Sequence, residues 1–136
     1  MDTNVEKKLR LSLLLLRIGV FIVMFMWTLD KFVNPAHSAR ILENFYSLPG
    51  ADAALIHVLG AAELVLLFAF LGGLMKKWTY GTVLLLHTLS TLSPIRQYLA
   101  PFDNLLFFAA WPMLAACIAL FLLRDEDRLW TLGSRD

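Results

Sequence analysis

The chain has 136 residues, 59% of them hydrophobic and 17% charged, with a formal net charge of +1. Its apolar residues gather into four blocks instead of recurring on one face of otherwise polar helices, which excludes a soluble globular domain and marks an all-α integral membrane protein. A single cysteine, Cys117, excludes a dithiol reaction carried out by this chain alone, and no nucleic-acid partner is expected.

The first block covers residues 9–29, with Arg10 near its start and Arg17 inside it. It is longer than the roughly 7–15 residues of a signal-peptide core, and Trp27-Thr28-Leu29-Asp30-Lys31 stands where small residues would mark cleavage, so it reads as a retained helix. In the following 30–53 segment, Ile41, Leu42, Phe45 and Leu48 fall at helical spacing between Pro35 and Pro49-Gly50. That spacing predicts a short amphipathic helix lying at the outer interface.

The second block, residues 54–75, carries His57 and Glu63, and the third, residues 78–92, carries His87. The fourth, residues 105–123, has no charge and holds Cys117, which reads as a small packing residue. Before it, Asp103 is expected to N-cap the helix, and within it Pro112 is expected to kink it. At about 1.5 Å per residue three blocks reach roughly 28–33 Å, enough to cross a hydrocarbon core of about 30 Å, and the third is shorter. The whole chain, 1–136, is therefore read as a single transmembrane domain, a four-helix bundle with the short amphipathic helix between its first two spans.

Short-loop basic residues set the orientation. Lys7, Lys8 and Arg10 precede the first span, Lys76 and Lys77 lie between the second and third, and Arg124 and Arg128 follow the fourth, while Asp125, Glu126 and Asp127 count for little. Both termini are expected to be cytoplasmic, in a multi-pass protein of the inner (cytoplasmic) membrane.

An Arg at a helix centre costs roughly +2.5 to +3.5 kcal/mol on insertion scales, so Arg17, Glu63 and His87 each need a partner or a task. Counted from the cytoplasmic ends, Arg17 lies about 12 Å deep, His87 about 14 Å and Glu63 about 18 Å, which predicts an Arg17–Glu63 pair near the midplane. Arg10, Arg17, Thr28 and Lys31 share one face of the first helix, and Tyr80, His87, Ser90 and Thr91 share one of the third. Glu63 shares its face with Gly60 and Leu67, and Gly60 would let another backbone approach closely. His87, oriented by Tyr80 and Thr91, is expected to line a cavity. A pair of this kind also fits a purely structural role, fixing helix register. His57 reads as an interfacial polar residue, although with His87 it makes bis-histidine haem ligation geometrically conceivable.

These residues carry a resemblance. Leu16-Arg17-Ile18-Gly19, Asp30-Lys31-Phe32-Val33-Asn34-Pro35, Glu63-Leu64, Leu71-Gly72-Gly73-Leu74 and His87, over about residues 9–123, resemble the DoxX/DoxD family of small four-helix membrane proteins. Thr28 stands in the region where that family usually carries Gly. The resemblance implies association with quinone-linked sulfur oxidation or other membrane oxidoreductase assemblies, or with maturation of other proteins. Carried over, Arg17, Lys31, Glu63 and His87 match the family's polar positions.

Three readings follow. One is a small subunit of a membrane redox complex that binds a quinone or similar amphipathic molecule at Arg17, Lys31, Glu63, Tyr80, His87 and Thr91, with a partner membrane or peripheral redox subunit. Another is a non-catalytic accessory or chaperone-like protein with structural charges, its partner helices docking on the Ala69/Gly73 or Ala115/Ala119 faces. The last is a small-molecule transporter acting as a homo-oligomer. No metal site and no built-in cofactor is expected.

Overall fold

The computed structural model of the chain describes residues 2–132, in which all regular structure is helical. Helix α1, Thr3–Val33, starts at Asp2, whose carboxylate accepts from the Asn4 backbone N–H at 3.0 Å. Its 31 residues rise about 46 Å, well beyond a hydrocarbon core of about 30 Å. The apolar block ends at Leu29, but nothing in Asp30-Lys31-Phe32-Val33 stops a helix. The stop comes at Asn34, because the residue before a proline is disfavoured in the α region. Asn34 then caps α2, Pro35–Tyr46, accepting from the His37 N–H at 3.3 Å.

A helix therefore forms where Ile41, Leu42 and Phe45 predict one, and these three are half-buried. Leu48 lies past its end and is exposed, since Ser47 turns into the left-handed region at φ 56°. Helix α3, Ala53–Leu71, is capped by Asp52 and ends earlier than its apolar block. Gly73, at φ +68°, lets Leu74 N–H reach back to the Ala69 carbonyl at 2.9 Å, a glycine-dependent stop that closes the helix at Leu71.

Helix α4 is Lys76–Leu92, and the loop after it contains the short helix α5, Ile95–Tyr98. Two 3-10 turns follow, Pro101–Asp103 and Leu105–Ala109, before α6, Ala110–Leu122. Asp103 does not cap the last span. It lies within a 3-10 turn, and Asn104 instead ties the loop together by donating to the Gln97 and Ala100 carbonyls at 3.2 and 2.9 Å. The change from 3-10 to α geometry falls beside Pro112, whose missing N–H leaves the Phe108 carbonyl without its helical donor. A third 3-10 turn, Arg124–Glu126, leads into a tail that runs to Leu132.

Helix α1 packs chiefly on α3 and α4 chiefly on α6, and α3 against α4 and α1 against α6 complete the contacts; α2 rests on α1 and α3. The enclosed core is small, built from Leu13, Val20, Leu67, Phe70, Tyr80, Val83, Cys117 and Leu120. Outside it, Val65, Phe68, Leu85 and Leu122 project outwards with more than half of their surface exposed. Among the described residues, three stretches, Thr3–Val33, Ala53–Leu71 and Leu105–Leu122, are long and apolar enough to cross a membrane. An apolar exterior around so small a core is what a bilayer solvent allows and water does not.

Candidate functional site

The ion pairs that tie these helices inside the assembly form two layers, one towards each end. At the end that carries the α3–α4 turn, Arg17 of α1 meets the tail. One guanidinium nitrogen donates to Asp127 Oδ1 at 2.5 Å, and the other donates to the Leu129 and Trp130 carbonyls at 2.6 and 3.2 Å. Tyr80 of α4 donates its hydroxyl to Asp127 Oδ2 at 2.5 Å, and Lys76 Nζ donates to the Asp127 carbonyl. Arg17 and Asp127 are 1% and 0% exposed, so both ions are removed from solvent and each depends on the other.

The α3–α4 turn is shaped to receive this tail. Leu132 N–H donates to the Gly72 carbonyl at 2.7 Å. A Cβ on Gly73 would sit 2.6 Å from Thr131 Cγ2. The tail therefore occupies the Gly73 part of the small-residue face where a partner helix is expected to dock.

The second layer lies towards the end that carries α2. Thr28 donates to Glu63 Oε2 at 2.8 Å, and Lys31 Nζ lies 3.2 Å from the same oxygen. Lys31 and Glu63 side chains are 19% and 26% exposed. Beside them the Phe32 ring covers Gly60, where a Cβ would come within 2.8 Å of it, and stacks on His57 at 5.6 Å. Close approach at Gly60 is thus realised by an aromatic side chain of α1. Asp30 holds His37 of α2 at 2.6 Å, and the Trp27 ring stacks on the same imidazole.

Arg17 and Glu63 consequently do not pair. They engage α1 eleven residues apart, at Arg17 and Thr28, which is about 16 Å along the helix axis. The depth count places them together because it starts α1 and α3 at the ends of their apolar blocks. In the fold α3 stops at Leu71 and α1 runs on past that level, so Arg17 lies beside the turn and not at mid-depth.

Tyr80, His87 and Thr91 do share one buried face of α4, whereas Ser90 is exposed. They do not form one hydrogen-bonded group. His87 Nε2 lies 3.0 Å from the Ala110 carbonyl of α6, Thr91 donates to the His87 carbonyl at 2.8 Å, and Tyr80 is taken by Asp127. Tyr98 closes the end of α4 by donating to the Thr91 carbonyl at 2.7 Å, and burial pushes its phenol above the ordinary pKa. The orienting role expected of Tyr80 and Thr91 towards the His87 ring is filled by backbone from α6.

Two residues of the first layer escape sequence reasoning, Lys76 and Asp127. Asp127 belongs to an Arg124-Asp125-Glu126-Asp127-Arg128 run directly after an apolar block, a pattern that ordinarily means a solvated tail. Its only hint is that Leu129, Trp130 and Leu132 follow it.

Chemically, each oxygen of the Asp127 carboxylate is engaged, one by a guanidinium and one by a phenol, which suits holding helices together more than moving protons. The Glu63 layer is more open. Comparison with known proteins finds no protein family, no curated protein and no solved structure that matches the chain.

Proposed function

We propose that the chain is a DoxX-like four-span protein of the cytoplasmic membrane, with α4 as the short third span, α2 at the outer interface and both termini cytoplasmic. In this reading it serves as a non-catalytic accessory subunit of a membrane complex. The observation that supports it is the Arg17 guanidinium, whose two terminal nitrogens are spent on the chain's own tail at Asp127, Leu129 and Trp130. An intramembrane charge held this way fixes helix positions, and the partner helix would dock on the remaining small-residue face at Ala115 and Ala119.

A second reading, a redox-complex subunit holding a quinone-like amphipathic molecule, draws on the part-exposed Lys31–Glu63 pair, which could turn to a ligand carbonyl. Titration of the detergent-purified protein with a soluble quinone analogue separates the two. The accessory reading expects no saturable quenching of tryptophan fluorescence. Saturable quenching that disappears in Glu63→Gln would overturn it in favour of the second. Orientation is tested by labelling Glu43→Cys, an exposed position on α2 in a chain whose own cysteine is buried. Labelling of intact cells by an impermeant maleimide is expected, and reaction only after permeabilisation would invert the topology.

A further inference from the structure

The tail is held in an unusual way. Of its side chains from Arg124 to Leu132, only that of Asp127 is fully buried, while Trp130 and Leu132 are 78% and 82% exposed. Its attachment is polar: the Asp127 carboxylate on Arg17 and Tyr80, the carbonyls of residues 127, 129 and 130 on Lys76 and Arg17, and Leu132 N–H on Gly72. Trp130 adopts φ 55°, a left-handed conformation that non-glycine residues rarely take. The Arg17 Nε donor is buried with no hydrogen-bond partner among the described residues. Apolar burial is the force that makes docking of a segment hard to reverse, and here it falls to the partly buried Leu129, while Trp130 and Leu132 stay exposed. Polar bonds to an anion, by contrast, are interchangeable with those of another anion of the same shape.

We propose that Arg17 and Tyr80 form a carboxylate-binding seat whose resident ligand is Asp127, so that the tail is latched by one anion and the seat, once vacated, takes a free small carboxylate. The seat grips one carboxylate from both sides, the guanidinium reaching Oδ1 while the phenol reaches Oδ2. An alanine at 127 keeps Cβ and removes only the carboxylate, so formate reproduces the missing group. The seat rests on the Arg17–tail contacts that also support the accessory reading, which the quinone titration tests separately.

The test is chemical rescue in the full chain. Asp127→Ala empties the seat, and its apparent Tm in detergent is expected to fall by about 5 °C or more. Added formate should restore it along a saturable curve, chloride at equal ionic strength should not, and the parent should be indifferent to the exchange of anions. Melting of Asp127→Ala with the parent would overturn the proposal, as would equal responses to formate and chloride. If Asp127→Ala yields no folded protein, the same variant expressed and purified with formate throughout carries the measurement as folded yield, with chloride at equal ionic strength as the control. No formate-specific gain in folded yield there would also overturn it.

Discussion

Two cation–carboxylate pairs hang from the same helix, at Arg17 and Lys31, about 21 Å apart along it, and they differ in almost everything except chemistry. Arg17–Asp127 is sealed, at 1% and 0% exposure, and is joined by Tyr80, Lys76 and tail carbonyls. Lys31–Glu63 is at 19% and 26% exposure, with a single hydroxyl, that of Thr28, as its further partner. Desolvation sets the difference. A sealed pair loses its hydration on both sides and must be complete to be tolerated, whereas a part-exposed pair near a helix end keeps some water and tolerates loss of a partner. The type of residue says little about how much a charge matters; the number of groups that replace its water says more.

The strongest way to break this contrast is to remove one ion of the sealed pair. Arg17→Met leaves Asp127 buried without its guanidinium and is expected to cost roughly 3–5 kcal/mol, read as lost folded yield or a lower Tm in detergent. Arg17→Met with Asp127→Leu should recover much of that loss. If Arg17→Met melts like the parent, the sealed layer is not formed.

Gly73→Ala probes the tail's seating without touching a charge. It places a Cβ against Thr131 and demands φ +68° of an alanine, a strain of about 1–3 kcal/mol. Adding Thr131→Gly should recover the contact part of the loss and leave the backbone part. No loss in Gly73→Ala would mean that the tail does not rest on the turn.

At the other layer, Lys31→Met or Glu63→Gln should cost only about 0–1 kcal/mol, and the effect should shrink as salt is raised. A loss as large as that of Arg17→Met would erase the distinction between the layers. The smallest expected signal is the most pointed. In a double-mutant cycle, Arg17 and Glu63 should be additive to within about 0.3–0.5 kcal/mol, while Arg17 and Asp127 should couple by about 0.5–3 kcal/mol.

How much of this was legible is best seen residue by residue. The helices at 9–29, 54–75, 78–92 and 105–123 are visible because apolar runs of those lengths have few other stable forms, and all four appear with shifted ends. The shared buried face of Tyr80, His87 and Thr91 follows from 100° steps along one helix. Helix ends were less legible, since Gly73 and Asn34 act through backbone conformation that an apolar count does not weigh.

The sequence by itself determined that this is an all-helical membrane protein, that Arg17, Glu63 and His87 lie within its helices, and that Gly60 and Gly73 sit where something must come close. Only the tertiary structure decided which partner each charge takes. Pairing depends on the axial offset between α1 and α3, which helix packing sets, and on a tail whose Asp127 is separated from Arg17 by 110 residues. Local periodicity fixes the angle of a side chain around its own helix, but it carries no information on how far one helix slides past another or where a polar tail folds back, and those two quantities place the charges.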